Sequence, residues 1–173
     1  MLRIVTDGAG DILPSWGKEY GIDIIPVNIL FGEKSYLQGV ELDNEGFYKL
    51  VEENRKIPKT SQPSPHQFVE FYRKVAQKGD TILSIHVTAK LSGTYRSAVS
   101  AAEELKDEFK VIPIDSALGS LGIGLLCREA RPSRREDDIR LELNKLGSKL
   151  GKTLVAPIRP SIVDCHSASI DPT

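Results

Sequence analysis

Two short runs hold the side chains best suited to binding chemistry. The first is KTSQPSP at 59–65, where Thr60, Ser61 and Gln62 stand just before Pro63, Ser64 and Pro65. The second is LSGT at 91–94, with Ser92, Gly93 and Thr94. Each precedes a stretch of helical spacing. A helix N-terminus exposes N–H groups without intrahelical acceptors and carries a partial positive charge. Hydroxyls beside it add neutral donors, and together they suit a carboxylate or phosphate oxygen. Helix capping alone accounts for either run singly. Two such runs on loops that share one rim point to a ligand. The prolines of the first run restrict its backbone, so its hydroxyls are positioned beforehand and the ordering cost of binding falls. This run reads as too polar for a strand and, with two prolines, as no helix.

Other chemistries fit less well. DGAGDIL (7–13) follows a first strand and offers Gly8 and Gly10 as a GxG pair, but Leu13 stands where a dinucleotide fingerprint has its third glycine. Asp7 and Asp11 would also repel a pyrophosphate. Nucleotide binding through the 8–10 glycine loop is therefore an alternative, not the leading reading. GSKLGKT (147–153) resembles a phosphate loop, yet the required first glycine falls on Leu146. A small serine-dependent esterase would need Ser92 as nucleophile and His86 as base, and the chain has no G-x-S-x-G elbow. The three histidines, His66, His86 and His166, show no zinc spacing, and His86 reads as a hydrogen-bonded residue at a strand end. Asp7, Asp11 and Asp115 at strand ends read as loop ties or caps ahead of Mg²⁺ ligands. No cofactor or metal is expected.

The elements that must carry these runs alternate. Leu2–Val5 reads as a strand, PSWGKEYG as a short helix with Pro14 in its first turn and Gly21 past its end, and IDIIPVNILF as one strand with Pro26 marking an edge. GEKSYLQGVELD reads as a hairpin-like excursion. NEGFYKLVEEN places Phe47, Leu50 and Val51 on one helical face. Ser64 caps the next helix, with Pro65 at its first position, Gln67 closing a capping box and Phe68, Phe71, Tyr72 and Val75 at helical spacing. DTILSIHV follows as a buried strand. LSGTYRSAVSAAEELKDEF reads as a helix with Tyr95, Ala98, Val99, Ala102 and Leu105 inward, KVIPID as a strand and SALGSLGIGLLCREA as a helix. The fold class is thus α/β, a largely parallel sheet flanked by helices, with ligands bound outside the carboxyl ends of the strands. Four loops are candidates for that rim: TDGAGD (6–11), KTSQPSP, HVTAKLSGT (86–94) and DSALGS (115–120).

With 173 residues, 40% of them apolar and 27% charged, the chain suits one globular domain, and its net charge of −1 implies no nucleic-acid or membrane surface. No apolar run reaches the roughly twenty residues of a transmembrane helix. MLRIVTD reads as a strand, not a signal peptide. Cys127 and Cys165 make no disulfide framework and read as unpaired thiols of a cytoplasmic protein. From about Arg128 the pattern changes: REARPSRREDDIR is densely charged, and 156–173 shows little periodicity.

Taken in order, TDGAGDIL, PKTSQPSP, LSGTYRSA and IDSALGSLGIG resemble the DegV family of bacterial fatty-acid-binding proteins, over residues 1 to about 126. The resemblance implies a two-lobed fold holding one long-chain fatty acid, such as palmitate or oleate, between the lobes. Residues 1–126 would form the N-terminal lobe, with 127–173 an atypical tail and the second lobe largely missing, as in a truncated product. It implies that Thr60 and Ser92 meet the carboxylate and that Ser61 and Gly93 lie beside them. It also implies a non-enzymatic carrier for an ATP-dependent fatty acid kinase subunit that forms an acyl phosphate. Affinity would come from the acyl chain, at about 0.8 kcal/mol per buried CH₂. Two departures stand out: Gly8 where the pattern has serine after TD, and Arg96 where it has glutamine. Half a lipid tunnel would leave an apolar face open, and weakened binding, poor solubility or self-association is the expectation.

Overall fold

Strand β1 (Leu2–Asp7) is the spine of the molecule. In the computed structural model, which describes residues 1–130, it lies between two parallel neighbours, β2 (Ile22–Ile25) and β6 (Thr81–His86). A fourth parallel strand, β7 (Lys110–Asp115), pairs with the outer side of β6, giving the order β2-β1-β6-β7. A smaller antiparallel sheet has the order β4-β3-β5, built from β3 (Asn28–Phe31), β4 (Lys34–Leu37) and β5 (Lys59–Ser61). The predicted α/β class and parallel sheet are therefore present. GSKLGKT, Cys165, His166 and all but the first residues of the expected tail lie outside the described residues.

The main sheet is covered on both faces, so its central strands are apolar on both sides. Ile4, Leu83, Ile85 and Ile114 face α5 (Leu121–Ala130), where Ile123, Leu126 and Cys127 are buried. Tyr20 of α1 (Pro14–Tyr20) packs against the same cluster. Val5, Ile25 and Ile82 face the other way, onto Phe68, Val69 and Tyr72 of α3 (Pro65–Val75) and Ala98 and Ala101 of α4 (Thr94–Glu104). The chain reverses its winding between β1 and β6, and their adjacent carboxyl ends open a crevice there.

Helices α1, α2 (Asn44–Asn54) and α3 follow their local signals. The Ser64 side chain accepts from the Gln67 amide at 3.2 Å while the Gln67 side chain accepts from the Ser64 amide at 2.8 Å, completing the predicted capping box.

Four expectations need correction. Lys59–Ser61, judged too polar for a strand, is β5: it borrows its hydrogen bonds from β3, and as an edge strand it leaves its polar side chains in solvent. The single strand expected over 22–31 divides at Pro26, whose missing N–H ends pairing with β1; Asn28–Phe31 then joins the other sheet. Helix α4 is shorter than 91–109. Its buried stripe is Thr94, Ser97, Ala98, Ala101 and the following Leu105, because small residues let it approach the sheet and α3 closely, leaving Tyr95, Val99 and Ala102 less deeply placed. Helix α5 begins only at Leu121 and runs through Ala130.

Candidate functional site

The crevice at the carboxyl ends of β1 and β6 is a cleft of about 670 Å³. Thr60, Ser61 and Gln62 line it from β5 and the residue after it. Val87, Leu91, Ser92, Gly93 and Thr94 line it from the loop that links β6 to α4 and the first residue of that helix. Gly8, Ala9 and Asp11 contribute from the loop after β1. The structure thus brings Thr60, Ser61, Ser92 and Gly93 to one cavity, together with three of the four candidate loops. The fourth, DSALGS, is absent from the lining and docks behind: Ser120 Oγ donates to Asp11 at 2.6 Å, and Asp115 accepts from the Ala89 and Ala117 amides.

Each corner is held by its own bonds. Asn28 donates to Ser61 Oγ (3.3 Å) and to the Gln62 carbonyl (3.4 Å), while the Gln67 side chain donates to Asn28 Oδ1 (3.3 Å). The capping box of α3 is thereby coupled to the loop carrying Thr60. Thr60 itself is exposed. At the other corner, Ser92 Oγ accepts from the Thr94 amide (3.2 Å) and lies 2.8 Å from the Thr94 hydroxyl. When the Thr94 hydroxyl donates, both acceptor positions of Ser92 are filled and its own O–H remains to donate elsewhere. Gly93 is the N-cap of α4 and brings no side chain to it. A Cβ there would stand 2.5 Å from the Gln62 carboxamide, so the two corners come into close approach at Gly93, and a larger residue would push the Gln62 side chain aside.

Beneath the cleft runs a buried polar chain. Asp7, 1% exposed, accepts from the Ala9 amide (2.9 Å), the Val87 amide (3.1 Å) and His86 Nδ1 (2.9 Å). His86 Nε2 lies 2.6 Å from Ser84 Oγ, which lies 2.7 Å from the Tyr72 hydroxyl. Every link is satisfied when Tyr72 donates to Ser84, Ser84 to Nε2, and Nδ1–H to Asp7. Burial raises the Tyr72 phenol above its ordinary range, which keeps it a donor. Phe68 meets the His86 ring edge-on at 5.1 Å.

This chain weighs against two alternatives. His86 is a hydrogen-bonded strand-end residue, as expected, and its partner is Ser84, not Ser92; the esterase pairing is not assembled. The glycine loop 8–10 forms a 3₁₀ turn whose Ala9 amide is committed to Asp7, so that amide is not offered to a phosphate. Among the described residues no group of three or more His, Cys, Asp or Glu is placed to hold a metal, and no helix is long and apolar enough to cross a membrane. Val27 and Gln38 also line the cleft, and nothing in the sequence around them marks them as site residues. Leu91, 78% exposed, stands open at its wall.

The DegV family model, described as an uncharacterised protein family, matches residues 1–142. A DegV domain-containing protein of Clostridium perfringens is 36% identical over 129 residues, 75% of this chain and 46% of that protein. A fatty acid-binding protein of Thermotoga maritima is 36% identical over 135 residues, again 75% of this chain and 46% of its own length. Among solved structures, DegV of Bacillus subtilis, a fatty acid-binding protein, superposes with a TM-score of 0.75 at 30% identity, covering 83% of this chain and 52% of that one. A stearic acid-binding protein of Eubacterium ventriosum gives 0.72 at 27% identity, with 83% and 52% covered. The chain spans about half the length of the relatives it matches. The match across most of its residues, on the same parallel sheet, makes this chain a member of the DegV family.

Proposed function

We propose that the cleft receives the carboxylate of a long-chain fatty acid, with Thr60 and Ser92 donating their hydroxyls and Ser61 and Gly93 beside them. One observation carries this reading: two hydroxyl-bearing corners, remote in sequence and each braced by its own hydrogen bonds, line one cavity. The chemistry agrees. The Ser92 hydroxyl has a proton to give, and the α4 N-terminus without a side-chain cap favours an anion. Val27, Val87 and Leu91 offer apolar surface on which an acyl chain can start, and buried methylenes supply the affinity at about 0.8 kcal/mol each. Relatives whose names record fatty acid binding add support.

In this reading the lipid-binding lobe reaches past the boundary expected at 126, because Cys127 and Ala130 at the end of α5 are buried in its core. A carboxylate held by neutral donors stays chemically available, which suits presentation to an ATP-dependent kinase subunit. The kinase step rests on the family resemblance alone. The test is organic extraction of the purified chain with mass spectrometry, followed by palmitate and oleate titration. Thr60→Val and Ser92→Ala are each expected to weaken binding by about 0.5–1.5 kcal/mol, more where the charge assists. No bound fatty acid and no titratable binding would overturn the proposal.

A further inference from the structure

Gln38 follows β4, and its backbone amide donates to the Val27 carbonyl at 3.0 Å, which fixes its place at the cleft. Its side-chain carbonyl Oε1 is buried and has no hydrogen-bond partner among the described residues. That oxygen lies against Gly8: a Cβ built on Gly8 would collide with Oε1 and come within 2.9 Å of Cδ. The carboxamide therefore fills the volume that a side chain at position 8 would take. A buried polar atom left unpaired is costly, and such groups ordinarily find a partner. Here the unpaired atom belongs to a residue on the wall of the cavity that holds Thr60 and Ser92.

We infer that Gln38 is a headgroup-contacting residue of this cleft, and that Gly8 is glycine to admit it. The inference rests on the proposed fatty acid site and adds a third polar contact from the antiparallel sheet. A carboxamide presents a carbonyl on one side and two N–H donors on the other, and a half-turn about its terminal bond exchanges them. A small shift of the side chain away from Gly8 uncovers the carboxamide toward the cleft; it then presents Nε2–H to a carboxylate oxygen, or Oε1 to the O–H of an alcohol headgroup of the same chain length. Gln38 thus accommodates either polarity, whereas a carboxylate at the same position would discriminate.

The test is calorimetric titration of the full chain with palmitate and with 1-hexadecanol, alongside thermal melts. Gln38→Leu keeps much of the side chain's volume and removes its polar atoms. It is expected to weaken palmitate binding about tenfold while leaving the melting temperature unchanged or raised, since an unpaired buried oxygen is lost. A purely structural Gln38 would instead lower the melting temperature and spare affinity, and that result overturns the inference. Gln38→Glu is expected to abolish palmitate binding and retain hexadecanol. A compensating pair gives the second readout: Gly8→Ser and Gln38→Ala each weaken palmitate binding alone, and the double variant recovers it because the introduced hydroxyl enters the vacated space. Strictly additive losses would also overturn the inference. Normal palmitate binding by the parent chain with no change in Gln38→Leu refutes Gln38 alone; no binding by the parent chain refutes the fatty acid site and this contact with it.

Discussion

Replacing Asp7 by Asn isolates the buried chain beneath the cleft. The two side chains have nearly the same shape, so packing is preserved and the change is one of hydrogen bonding. Asp7 accepts three bonds, from the Ala9 amide, the Val87 amide and His86 Nδ1. Asn offers a single acceptor oxygen. With that oxygen toward His86 and Val87, the new NH₂ group faces the Ala9 N–H, donor against donor; the flipped amide faces two donors instead. At least one bond is lost at a site 1% exposed, where water does not compensate. The surviving bonds also fall from charge-assisted to neutral strength. A charge-assisted bond is worth about 1.5–3 kcal/mol and a neutral one about 0.5–1.5. The net cost is about 3 kcal/mol, a large share of the roughly 5–15 kcal/mol that holds a domain together. In a chain of this size that corresponds to a fall of about 10 °C in melting temperature. Guanidinium unfolding followed by fluorescence of Trp16, the single tryptophan, measures it directly. A shift under about 1 kcal/mol at constant denaturant slope would mean that the three bonds do not act together. Because Ala9 and Val87 both line the cleft, the same variant is expected to bind palmitate more weakly.

Ser64→Ala removes the cap of α3 and is expected to cost about 1 kcal/mol in the same unfolding assay. Through Gln67 and Asn28 it should also loosen the Thr60 loop and weaken palmitate binding. Burial pushes the Cys127 thiol up to about 12, so peptide mapping after iodoacetamide at pH 8 should find it unmodified in native protein and alkylated after unfolding. The hydrogen bonds from Arg73 hold Glu108 below its ordinary 4.5. A depressed carboxylate stabilises the fold above its unfolded value, and that contribution is lost as pH falls through the folded one. Glu108→Gln should therefore flatten the decline of stability from about pH 4.5 downward, measured by unfolding across an acid series.

What the linear order of residues determined is what depends on near neighbours. The α3 capping box spans three residues, so Ser64 and Gln67 announce it. Pro14 and Gly21 bound α1 for the same reason, and the alternation of apolar strands with helical periods is enough for a parallel sheet. Errors arose where the deciding partner was distant. Lys59–Ser61 is a strand only because β3 supplies its hydrogen bonds, and Asn28–Phe31 leaves the strand before it because β4 and β5 are there to receive it. The site shows the same division. Thr60 and Ser92 were legible as hydroxyls near helix starts on loops expected at one rim, while the bonds that brace each corner and the shape of the cavity between them came only with the fold. Ser84 and His86 share a face of β6 two residues apart, but His86 could not be matched to Asp7, nor Gln38 to Gly8, from spacing in the chain. Those pairings follow from which strand lies beside which, and strand order is settled by burying both faces of the sheet at once, a condition that no local stretch expresses.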